Sequence, residues 1–444
     1  MKLSKMVQVI NGEHTNILFS TVSRAVVTLD NAHYSALSDE ATINSLFSPA
    51  ERAFLVEKHF LVDNNLDEGK FVWHQLTSER LHPQSFNTYI ALTSLCNFSC
   101  VYCYEKGQVS DASVMSDGVI SEVIKWYKNI FSSGDYSKGT IVLYGGEPLY
   151  DIELLKTFID AVTSISESTN FELSFNIITN GYLLEPAILD YLVAHRLREI
   201  QVTLDGPKEA HDKRRMLADG FGTFDTIIRN IMYVAQNTAV DITVRISFDE
   251  SNLNSIFELL QYLTSIDLNK RVYVYFAPIH QTTVQQSSSC SFCSQNVTGS
   301  YGAVLEAYKL LYGKANEYGF RYPSYYTNGP CMTTSKDSSL IAPDGRLYKC
   351  VEMIDIDDLC IGSVEAGYSS RYYHFVYASQ ILPCLEKGCL YLPICGGGCQ
   401  MESFLRYGGK IDKAVCHKLI FDGLNDFLLR MKYDLPVGTT KGGE

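Results

Sequence analysis

The stretch that decides the fold is Thr93-Ser94-Leu95-Cys96-Asn97-Phe98-Ser99-Cys100-Val101-Tyr102-Cys103-Tyr104, in which three cysteines are spaced C-x3-C-x2-C. It ends an apolar run that predicts a strand, so the cysteines are expected on the loop that follows. Three thiolates so close together can ligate three irons of a [4Fe–4S] cube and leave the fourth iron without a protein ligand. Zinc is the alternative, but a zinc site usually has a fourth Cys or His nearby in the sequence, and none follows here.

The composition limits the classes of protein and partner. A chain of 444 residues is long enough for two or three domains with full-sized cores. Its net charge of −13 argues against nucleic acid or an anionic membrane as the main partner and permits a basic peptide. The N-terminus lacks the features of a signal peptide, and no apolar run reaches membrane-spanning length. We therefore expect a cytoplasmic protein whose 13 cysteines are reduced and available as metal ligands.

Between about residues 87 and 280, short apolar runs alternate with helical segments, which predicts βα units and a parallel sheet. Six units are too few to close an eight-stranded barrel, so we expect an open, partial (β/α)6 TIM barrel with its reactive groups at the C-terminal ends of the strands. Cys96, Gly145, Asn180 and Asp205 follow the first four predicted strands in that way. The predicted strands span residues 88–95, 140–144, 174–179, 200–204, 242–246 and 272–276.

The cysteine spacing, with Asn97 and the aromatic residues on either side of Cys103, closely resembles the motif of the radical S-adenosylmethionine (SAM) enzymes. This resemblance implies a [4Fe–4S] cluster on Cys96, Cys100 and Cys103, with the amine and carboxylate of SAM bound at its open iron. It also implies that an electron from the reduced cluster splits SAM into methionine and a 5′-deoxyadenosyl radical, which removes an unactivated hydrogen atom from the substrate. The expected partners then include an electron donor such as flavodoxin or ferredoxin.

The same resemblance assigns SAM contacts to the predicted strand ends. The Gly-Gly-Glu-Pro segment is expected against the amino group of SAM, because glycine lets the backbone approach closely and Glu147 brings a carboxylate near the ammonium. Turn chemistry is the alternative for the Asn-Gly and Asp-Gly pairs, and a solvated helix start is the alternative for the segment around Arg215. Arg245 is expected to pair with the carboxylate of SAM. The candidate SAM-binding residues are Tyr102, Gly145, Gly146, Glu147, Pro148, Asn180, Asp205, Arg215 and Arg245.

Cysteines cluster again between residues 331 and 416, in the order C…G-x4-C…C…C-x5-C-x3-C…C. This order resembles the SPASM extension of radical SAM enzymes, which carries two auxiliary [4Fe–4S] clusters when fully occupied. Zinc ribbons have similar spacings and are the alternative. The three glycines at 396–398 are expected to direct backbone N–H groups towards cluster sulfurs. The connectivity of that family assigns the first cluster to Cys331, Cys350 and Cys399, and the second to Cys384, Cys389, Cys395 and Cys416.

The chain departs from the SPASM pattern at the first auxiliary cluster. Tyr325 stands where that family commonly has a cysteine, so the fourth ligand is either distant or absent. The distant candidates are Cys290, Cys293 and Cys360. An open iron would instead bind a cysteine of the substrate peptide, as the resemblance to thioether-forming relatives implies. Cys384 and Cys389 are also two residues further apart than is usual, a local loop difference.

A second departure concerns the catalytic base. Anaerobic sulfatase maturases carry an aspartate directly after the cysteine that corresponds to Cys350, and this chain has Val351 there. Glu352, one residue later, is the candidate catalytic base. This difference weakens the interpretation as a sulfatase maturase.

The N-terminal residues 1–85 predict a small α+β domain, with strands over 7–11 and 16–30 and helices over 31–38 and 48–60. The second helix begins with a capping box at Ser48 and Glu51. This order resembles the winged-helix precursor-recognition domain that captures a leader peptide by strand addition. A plain N-terminal cap on the barrel is the alternative.

The predicted fold class is therefore α/β, a partial (β/α)6 TIM barrel with an N-terminal winged-helix-like α+β domain and a C-terminal Cys-rich SPASM domain. The predicted domains are residues 1–85, the barrel 86–285, a linker 286–330 and the SPASM domain 331–444. The favoured function is a maturase that cross-links a ribosomally made precursor peptide through a thioether or carbon–carbon bond. The alternatives are an anaerobic sulfatase-maturating enzyme, which forms formylglycine, and a non-catalytic zinc- or peptide-binding scaffold.

Overall fold

The computed structural model describes residues 1–105, 113–279, 297–322, 331–377 and 379–436. Their contacts divide the chain into two compact units. The terminal unit contains the described residues of Met1–Leu81, Tyr325–Cys331 and Ala378–Glu444. The barrel unit contains those of His82–Ser324 and Met332–Tyr377. This division groups both ends of the chain together, whereas the predicted four-domain division follows sequence order and stays a prediction about functional modules.

The terminal unit begins with five strands and four helices. β1 (Lys2–Leu3) pairs with β5 (Leu61–Val62), and a separate antiparallel sheet has the order β2 (Val7–Ile10), β3 (Thr15–Ser20), β4 (Val26–Asp30). The helices are α1 (Asn31–Ala36), α2 (Glu40–Leu46), α3 (Pro49–Glu57) and α4 (Glu68–Leu81).

Two expectations for this segment have different outcomes. The capping box at the start of α3 is confirmed, because Ser48 and Glu51 exchange side-chain and backbone hydrogen bonds. The single strand predicted over residues 16–30 is wrong. The chain turns after β3, where Arg24 adopts φ 61° and donates its backbone N–H to the carbonyl of Ser20, so two strands form in place of one.

The barrel unit contains six parallel strands that pair in sequence order, with a helix after each of the first five. The strands are β6 (Phe86–Ala91), β7 (Lys138–Tyr144), β8 (Glu172–Thr179), β9 (Leu197–Leu204), β10 (Asp241–Phe248) and β11 (Val272–Pro278). The helices are α5 (Asp117–Ser132), α6 (Ile152–Ser168), α7 (Pro186–Ala194), α8 (Lys208–Arg214), α9 (Phe224–Asn237), α10 (Ser255–Ser265) and α11 (Val297–Glu317). This arrangement confirms the predicted partial barrel.

Strand residues alternate between a buried apolar set and a half-exposed, mostly polar set, as expected when side chains point to opposite faces of a sheet. Ile177, Ile200 and Ile242 lie on neighbouring strands and are fully buried. Asn176, on the other face, donates its side-chain amide to Glu199 on β9. The buried side chains form the core beside the sheet, and the loops that carry the candidate site residues follow the strand ends. The first strand was predicted to run to residue 95 but ends at Ala91, so a four-residue segment precedes Cys96.

Beyond β6 the sheet continues through four short strands that the sequence analysis did not predict. β12 (Ser339–Ile341) is parallel to β6, and β13 (Arg346–Tyr348), β14 (Cys360–Ser363) and β15 (Gly367–Tyr368) follow in antiparallel order. α12 (Ser370–Val376) comes next. Part of the predicted SPASM segment is therefore an extension of the barrel sheet.

The chain ends in the terminal unit with α13 (Leu382–Glu386), α14 (Leu392–Cys395), α15 (Gln400–Arg406) and α16 (Lys418–Lys432). Val72 and Leu76 of α4 share a buried cluster with Ile381 and Leu392, which joins this cysteine-rich segment to the N-terminal part of the same unit. Among the residues with described structure, no helix combines the length and the apolar character needed to cross a bilayer.

Candidate active site

The cysteine loop, residues 96–103, lies beyond the C-terminal end of β6 and is held by the segment that follows α8. Ser99 donates its backbone N–H to the carbonyl of Met216 at 2.8 Å, and Val101 donates to Arg214 at 3.0 Å. Phe98 forms an isolated bridge with Leu217. The segment after the fourth strand therefore fixes the backbone that carries the three cysteines.

Gly145 and Gly146 are needed for close contact with the segment that leads into the cysteine loop. A Cβ on Gly146 would lie 2.4 Å from the carbonyl oxygens of Ser94 and Leu95, and one on Gly145 would lie 2.3 Å from the carbonyl of Thr93. The N–H of Gly146 donates to Thr93 at 3.1 Å. The glycine pair thus brings the ends of the first two barrel strands together, a role that the sequence analysis did not identify.

Glu147 is fully buried and its carboxylate accepts three hydrogen bonds from the protein. The donors are the hydroxyl of Thr179 at 2.6 Å, the N–H of Asn180 at 2.7 Å and the N–H of Leu149 at 3.1 Å. Burial raises the pKa of Glu147, and these hydrogen bonds act in the opposite direction. The carboxylate therefore joins the ends of β7 and β8, which positions the predicted SAM-binding segments whether or not it also contacts SAM.

The environment of Cys96 bears on whether the loop suits a metal cluster. Its Sγ accepts the N–H of Phe98 at 3.3 Å, and the side-chain amide of Asn180 lies 3.9 Å away. Burial raises the pKa of Cys96 to about 12, and the negative charges of Glu147, Cys100 and Cys103 add to that shift. Thiolates at such a site need a compensating positive charge, which a bound metal centre supplies.

Two buried donors at the loop add to this fit. Nδ2 of Asn97 and Nε of Arg215 are buried and have no hydrogen-bond acceptor among the described residues. The described residues contain no group of three Cys, His, Asp or Glu side chains arranged for a single metal ion. A cube differs from a single-ion site because each thiolate binds a different iron. The loop therefore fits a [4Fe–4S] cluster with an accepting ligand beside it.

A buried network of hydrogen bonds includes Tyr102 of the cysteine loop. Asp205, fully buried at the end of β9, accepts the hydroxyl of Tyr102 at 2.9 Å and Nε of Arg214 at 3.2 Å. Arg215 donates to the same Tyr102 hydroxyl at 2.8 Å and lies over the ring of Phe98. The structure thus joins three of the predicted residues, Tyr102, Asp205 and Arg215. Arg214 was not among the predicted site residues, and its position next to Arg215 was the only signal for it in the sequence.

His211, in α8, supports this network through hydrogen bonds. Its Nδ1 accepts the backbone N–H of Asp205 at 3.3 Å, so Nε2 carries the proton and donates to the hydroxyl of Thr223 at 3.0 Å. Thr223 in turn donates to the carbonyl of Arg215 at 2.6 Å. Burial, together with the charge of Arg215, lowers the pKa of His211 to about 3. A neutral imidazole therefore holds both Asp205 and Arg215 in place.

This neutral histidine predicts a loss of stability in acid. The pKa of His211 is lowered from 6.5 to about 3 in the folded protein, so the unfolded chain binds more protons between these values. Stability is fully present above pH 6.5 and falls as the pH drops towards 3, by up to about 5 kcal/mol. His211→Asn, which retains an acceptor for the N–H of Asp205, is expected to flatten this dependence.

The measurement compares urea unfolding midpoints at pH 7 and pH 5, read from Trp126 fluorescence in a Trp73→Phe background. His195→Asn, at the end of α7, is the control and should retain the wild-type pH dependence. An unchanged dependence in His211→Asn would contradict the assignment.

A second polar group lies beside Cys103 and was not predicted. The hydroxyls of Tyr104 and Tyr144 form a hydrogen bond, and that of Tyr104 reaches the carbonyl of Val351 at 3.5 Å. Burial raises the pKa of both tyrosines, and the negative charge of Glu352 contributes to each shift. The candidate base Glu352 therefore lies close to the two tyrosines that flank the cysteine loop and the glycine pair. The positions of Tyr104 after Cys103 and of Tyr144 before Gly145 were the available signals.

Arg245 occupies the half-exposed row of β10, where it pairs in register with Thr203 on β9. Its Nη1 donates to the hydroxyl of Ser247 at 2.8 Å. Pro148 follows Glu147 in the turn after β7. The roles of these two residues in binding SAM remain predictions.

Four of the predicted auxiliary ligands come together in the terminal unit. Burial and the negative charges of Cys389 and Cys416 raise the pKa of Cys384. Burial also raises the pKa of Cys395 to about 12, and the charges of Cys384 and Cys389 act in the same direction. These electrostatic effects on the pKa values show that the four thiols predicted to bind one cluster lie near one another.

The glycine turn provides backbone donors to this group. The N–H groups of Gly397 and Gly398 interact with the sulfur of Cys395 and lower its pKa, against the effect of burial. All three glycines of the turn have positive φ, between 64° and 94°. This geometry agrees with the expected N–H groups near cluster sulfurs, and four such thiols suit a [4Fe–4S] site.

The ligands predicted for the first auxiliary cluster are divided between the two units. Cys331 and Cys399 belong to the terminal unit, where Cys399 caps α15 by accepting the N–H of Glu402 at 3.4 Å. Cys350 belongs to the barrel unit and follows β13.

Of the candidate fourth ligands, Cys290 and Cys293 lie outside the described residues. Cys360, in the barrel unit, directs its thiol to the carbonyl of Gly362 at 3.3 Å. The assignment of this cluster, including its fourth ligand, stays a prediction.

Comparison with known proteins identifies the class. Residues 90–260 match the family model of the Radical SAM superfamily, over the segment that carries the cysteine loop and the first strand ends. The chain therefore contains a radical SAM domain and is an enzyme of the radical SAM class, whose cofactors are a [4Fe–4S] cluster and SAM.

Two relatives match the chain beyond the radical SAM domain. A cysteine-type anaerobic sulfatase-maturating enzyme of Clostridium novyi (strain NT) is 23% identical over 331 residues, which cover 69% of this chain and 86% of that enzyme. The radical SAM cyclopropyl synthase TigE of Paramaledivibacter caminithermalis is 21% identical over 466 residues and covers 93% of both chains.

Solved structures share the fold. Native anSMEcpe with bound AdoMet has a TM-score of 0.59 at 16% identity and covers 78% of this chain and 98% of that chain. Streptococcus suis SuiB bound to the precursor peptide SuiA has a TM-score of 0.53 at 12% identity and covers 94% of this chain and 99% of that chain. At these identities the likeness shows the fold, and the substrate is a separate question.

Proposed function

We propose that this enzyme modifies a ribosomally made precursor peptide and installs an oxidative cross-link, either a thioether or a carbon–carbon bond. The observation that supports this best is the terminal unit, which combines the N-terminal sheet with the grouped cysteines 384, 389, 395 and 416. The bound cluster and SAM would supply a radical able to remove an unactivated hydrogen atom. The chain's own residues position SAM through the Gly145–Pro148 turn and the network around Asp205.

The proposal includes a docking edge for the leader peptide. The sheet β2-β3-β4 has two edges, and the β2 edge is next to α16, where Asn425 donates to the side chain of Gln8. β4 forms the other edge, and its residues are half-buried or exposed. An extended peptide can add to such an edge through backbone hydrogen bonds, so we assign the leader to β4.

The pairing pattern identifies the backbone groups that would bind the leader. The N–H of Ser20 donates to the carbonyl of Ala25, so these residues form a hydrogen-bonded pair directly beyond Phe19 and Val26, the last pair of the β3–β4 ladder. Hydrogen-bonded and non-hydrogen-bonded pairs alternate in antiparallel sheets. The N–H and C=O of Thr28 consequently point away from β3, and they are available to an added strand.

The test uses anaerobically reconstituted enzyme, SAM, a reductant and a short precursor peptide found in a neighbouring reading frame. We expect 5′-deoxyadenosine to form and the precursor to lose two hydrogens in mass for each cross-link. Thr28→Pro removes the outward N–H and is expected to reduce modification of the full precursor at least tenfold. Thr28→Ala keeps this N–H and is expected to modify the precursor as the wild type does. Formation of 5′-deoxyadenosine without loss of hydrogen from any precursor would contradict cross-linking.

The second candidate is an anaerobic sulfatase maturase, which the Clostridium novyi relative and the position of Glu352 near Tyr104 and Tyr144 favour. In that case a short Cys-containing sulfatase peptide would gain an aldehyde that hydrazide reagents capture. Glu352→Gln would then reduce aldehyde formation and leave SAM binding unchanged.

A further inference from the structure

One stripe of α4 faces the cysteine-rich segment of the terminal unit. Val72, Leu76 and Arg80 recur every four residues and are all buried, so they lie on the same side of the helix. Val72 and Leu76 pack in the cluster that contains Ile381 and Leu392, and Cys384 and Cys389 pack against that cluster. The stripe therefore changes from the apolar side chains of Val72 and Leu76 to the charged guanidinium of Arg80.

Arg80 is 5% exposed, which is unusual for a charged side chain. Its Nη2 donates to the carbonyl of Gly396 at 2.9 Å, at the residue that follows Cys395. Its Nε is buried and has no acceptor among the described residues. One donor therefore holds the glycine turn, and a second is left for a group other than the described residues.

The charges around Arg80 indicate what that group is. Burial disfavours the guanidinium cation, whereas negative charge on Cys331 and on Glu79 favours it. Glu79 also accepts the side-chain amide of Gln75 at 3.0 Å. A buried cation is costly unless it is paired with an anion. A set of thiolates with bound iron and sulfide is an anion of that kind, and cysteines of both predicted auxiliary clusters flank Arg80.

We propose that Arg80 is a positioning residue for the auxiliary clusters, which holds the turn after Cys395 through Gly396 and places a buried positive charge beside the cluster that Cys331 binds. This inference rests on the proposed function, because it presupposes iron–sulfur clusters at these cysteines. Reduction of a cluster adds one electron and hence one negative charge, so the buried cation favours the reduced state. Arg80 therefore raises the midpoint potential of the adjacent cluster.

The experiment uses the full chain with Cys96→Ala, Cys100→Ala and Cys103→Ala together, which removes the SAM cluster and leaves the auxiliary signals alone. Into this background we introduce Arg80→Gln, which removes the charge, and Arg80→Lys, which retains it without the planar fork. Lys387→Gln is the matched control, because Lys387 is an exposed cation whose charge also reaches Cys384. The measurements are iron and sulfide content and an anaerobic redox titration followed by electron paramagnetic resonance.

We expect Arg80→Gln to retain at least one auxiliary cluster and to lower its midpoint potential by ~59 mV, which corresponds to a roughly tenfold change in a one-electron equilibrium. Arg80→Lys should restore most of the potential, and Lys387→Gln should leave it unchanged because water screens its charge. If Arg80→Gln retains its clusters at the parental potential, or if Arg80→Lys shifts it equally, the inference is overturned. If the parental background contains no iron and sulfide, the auxiliary clusters of the proposed function are wrong.

Discussion

Replacing Cys96 with alanine is expected to abolish reductive cleavage of SAM, because the cysteine loop then offers too few thiolates to hold the cluster that binds it. The Sγ of Cys96 accepts the N–H of Phe98 and lies near the side-chain amide of Asn180. The anaerobically reconstituted variant should form no 5′-deoxyadenosine above background. It should lose the iron and sulfide of one cluster and retain the auxiliary clusters that we propose.

Cys360→Ala is the matched control for this prediction. The thiol of Cys360 lies in the barrel unit but directs its hydrogen bond to the carbonyl of Gly362, on the sheet extension. The control should cleave SAM at the wild-type rate, whatever its effect on the first auxiliary cluster. Cleavage of SAM by Cys96→Ala at more than a few per cent of the wild-type rate would contradict the assignment of the cysteine loop.

Replacing Gly146 with alanine is expected to destabilise the barrel unit by about 3 kcal/mol or more and to prevent assembly of the SAM cluster. The new Cβ would lie 2.4 Å from two carbonyl oxygens, of Ser94 and Leu95, and both belong to backbone that cannot rotate away. Relief of that contact requires the segment before Cys96 to move. The measurements are the urea unfolding midpoint and the iron content after reconstitution.

Gly118→Ala is the control for the packing argument. Gly118 lies in the first turn of α5, and among the described residues outside its own helix backbone and chain neighbours, a Cβ there would meet the hydroxyl of Ser116 at 3.9 Å. The control should be as stable as the wild type or slightly more stable, because alanine favours a helix. Equal stability of the two variants would show that the glycine pair is not needed for the contact between the two strand ends.

Local patterns were sufficient for the barrel and for the cysteine loop. The six parallel strands carry their apolar residues in short runs or at alternate positions, and helical segments separate them, so the repeating order is visible without knowledge of contacts. The cysteine spacing is visible in the same way, because all three predicted ligands lie within eight residues. The residues at the strand ends were found because the parallel order places those ends on one edge of the sheet.

The patterns failed where the determining contact is between residues far apart in the chain. β12 to β15 contain two to four residues each and are specified by their neighbours in the sheet. Tyr104, Tyr144 and Glu352 form a group only because the extension begins beside β6. In the sequence, Arg80 looks like a solvent-exposed arginine on a helix. Its burial and its contact with Gly396, 316 residues later in the chain, are visible only in the folded protein.

The sequence by itself predicted the class of the enzyme, the three cysteines proposed to hold the SAM cluster and the parallel order of the barrel, because these depend on spacing and periodicity within short segments. Only the tertiary structure decided what Glu147, Gly146, His211 and Arg80 do, because each acts through a contact with backbone or side chains at a distant position. The contact of Glu147 with the SAM ammonium stays a prediction, and the structure adds that its carboxylate accepts three hydrogen bonds that join two strand ends. Burial and hydrogen-bond partners set such roles, and both arise only when the chain has folded.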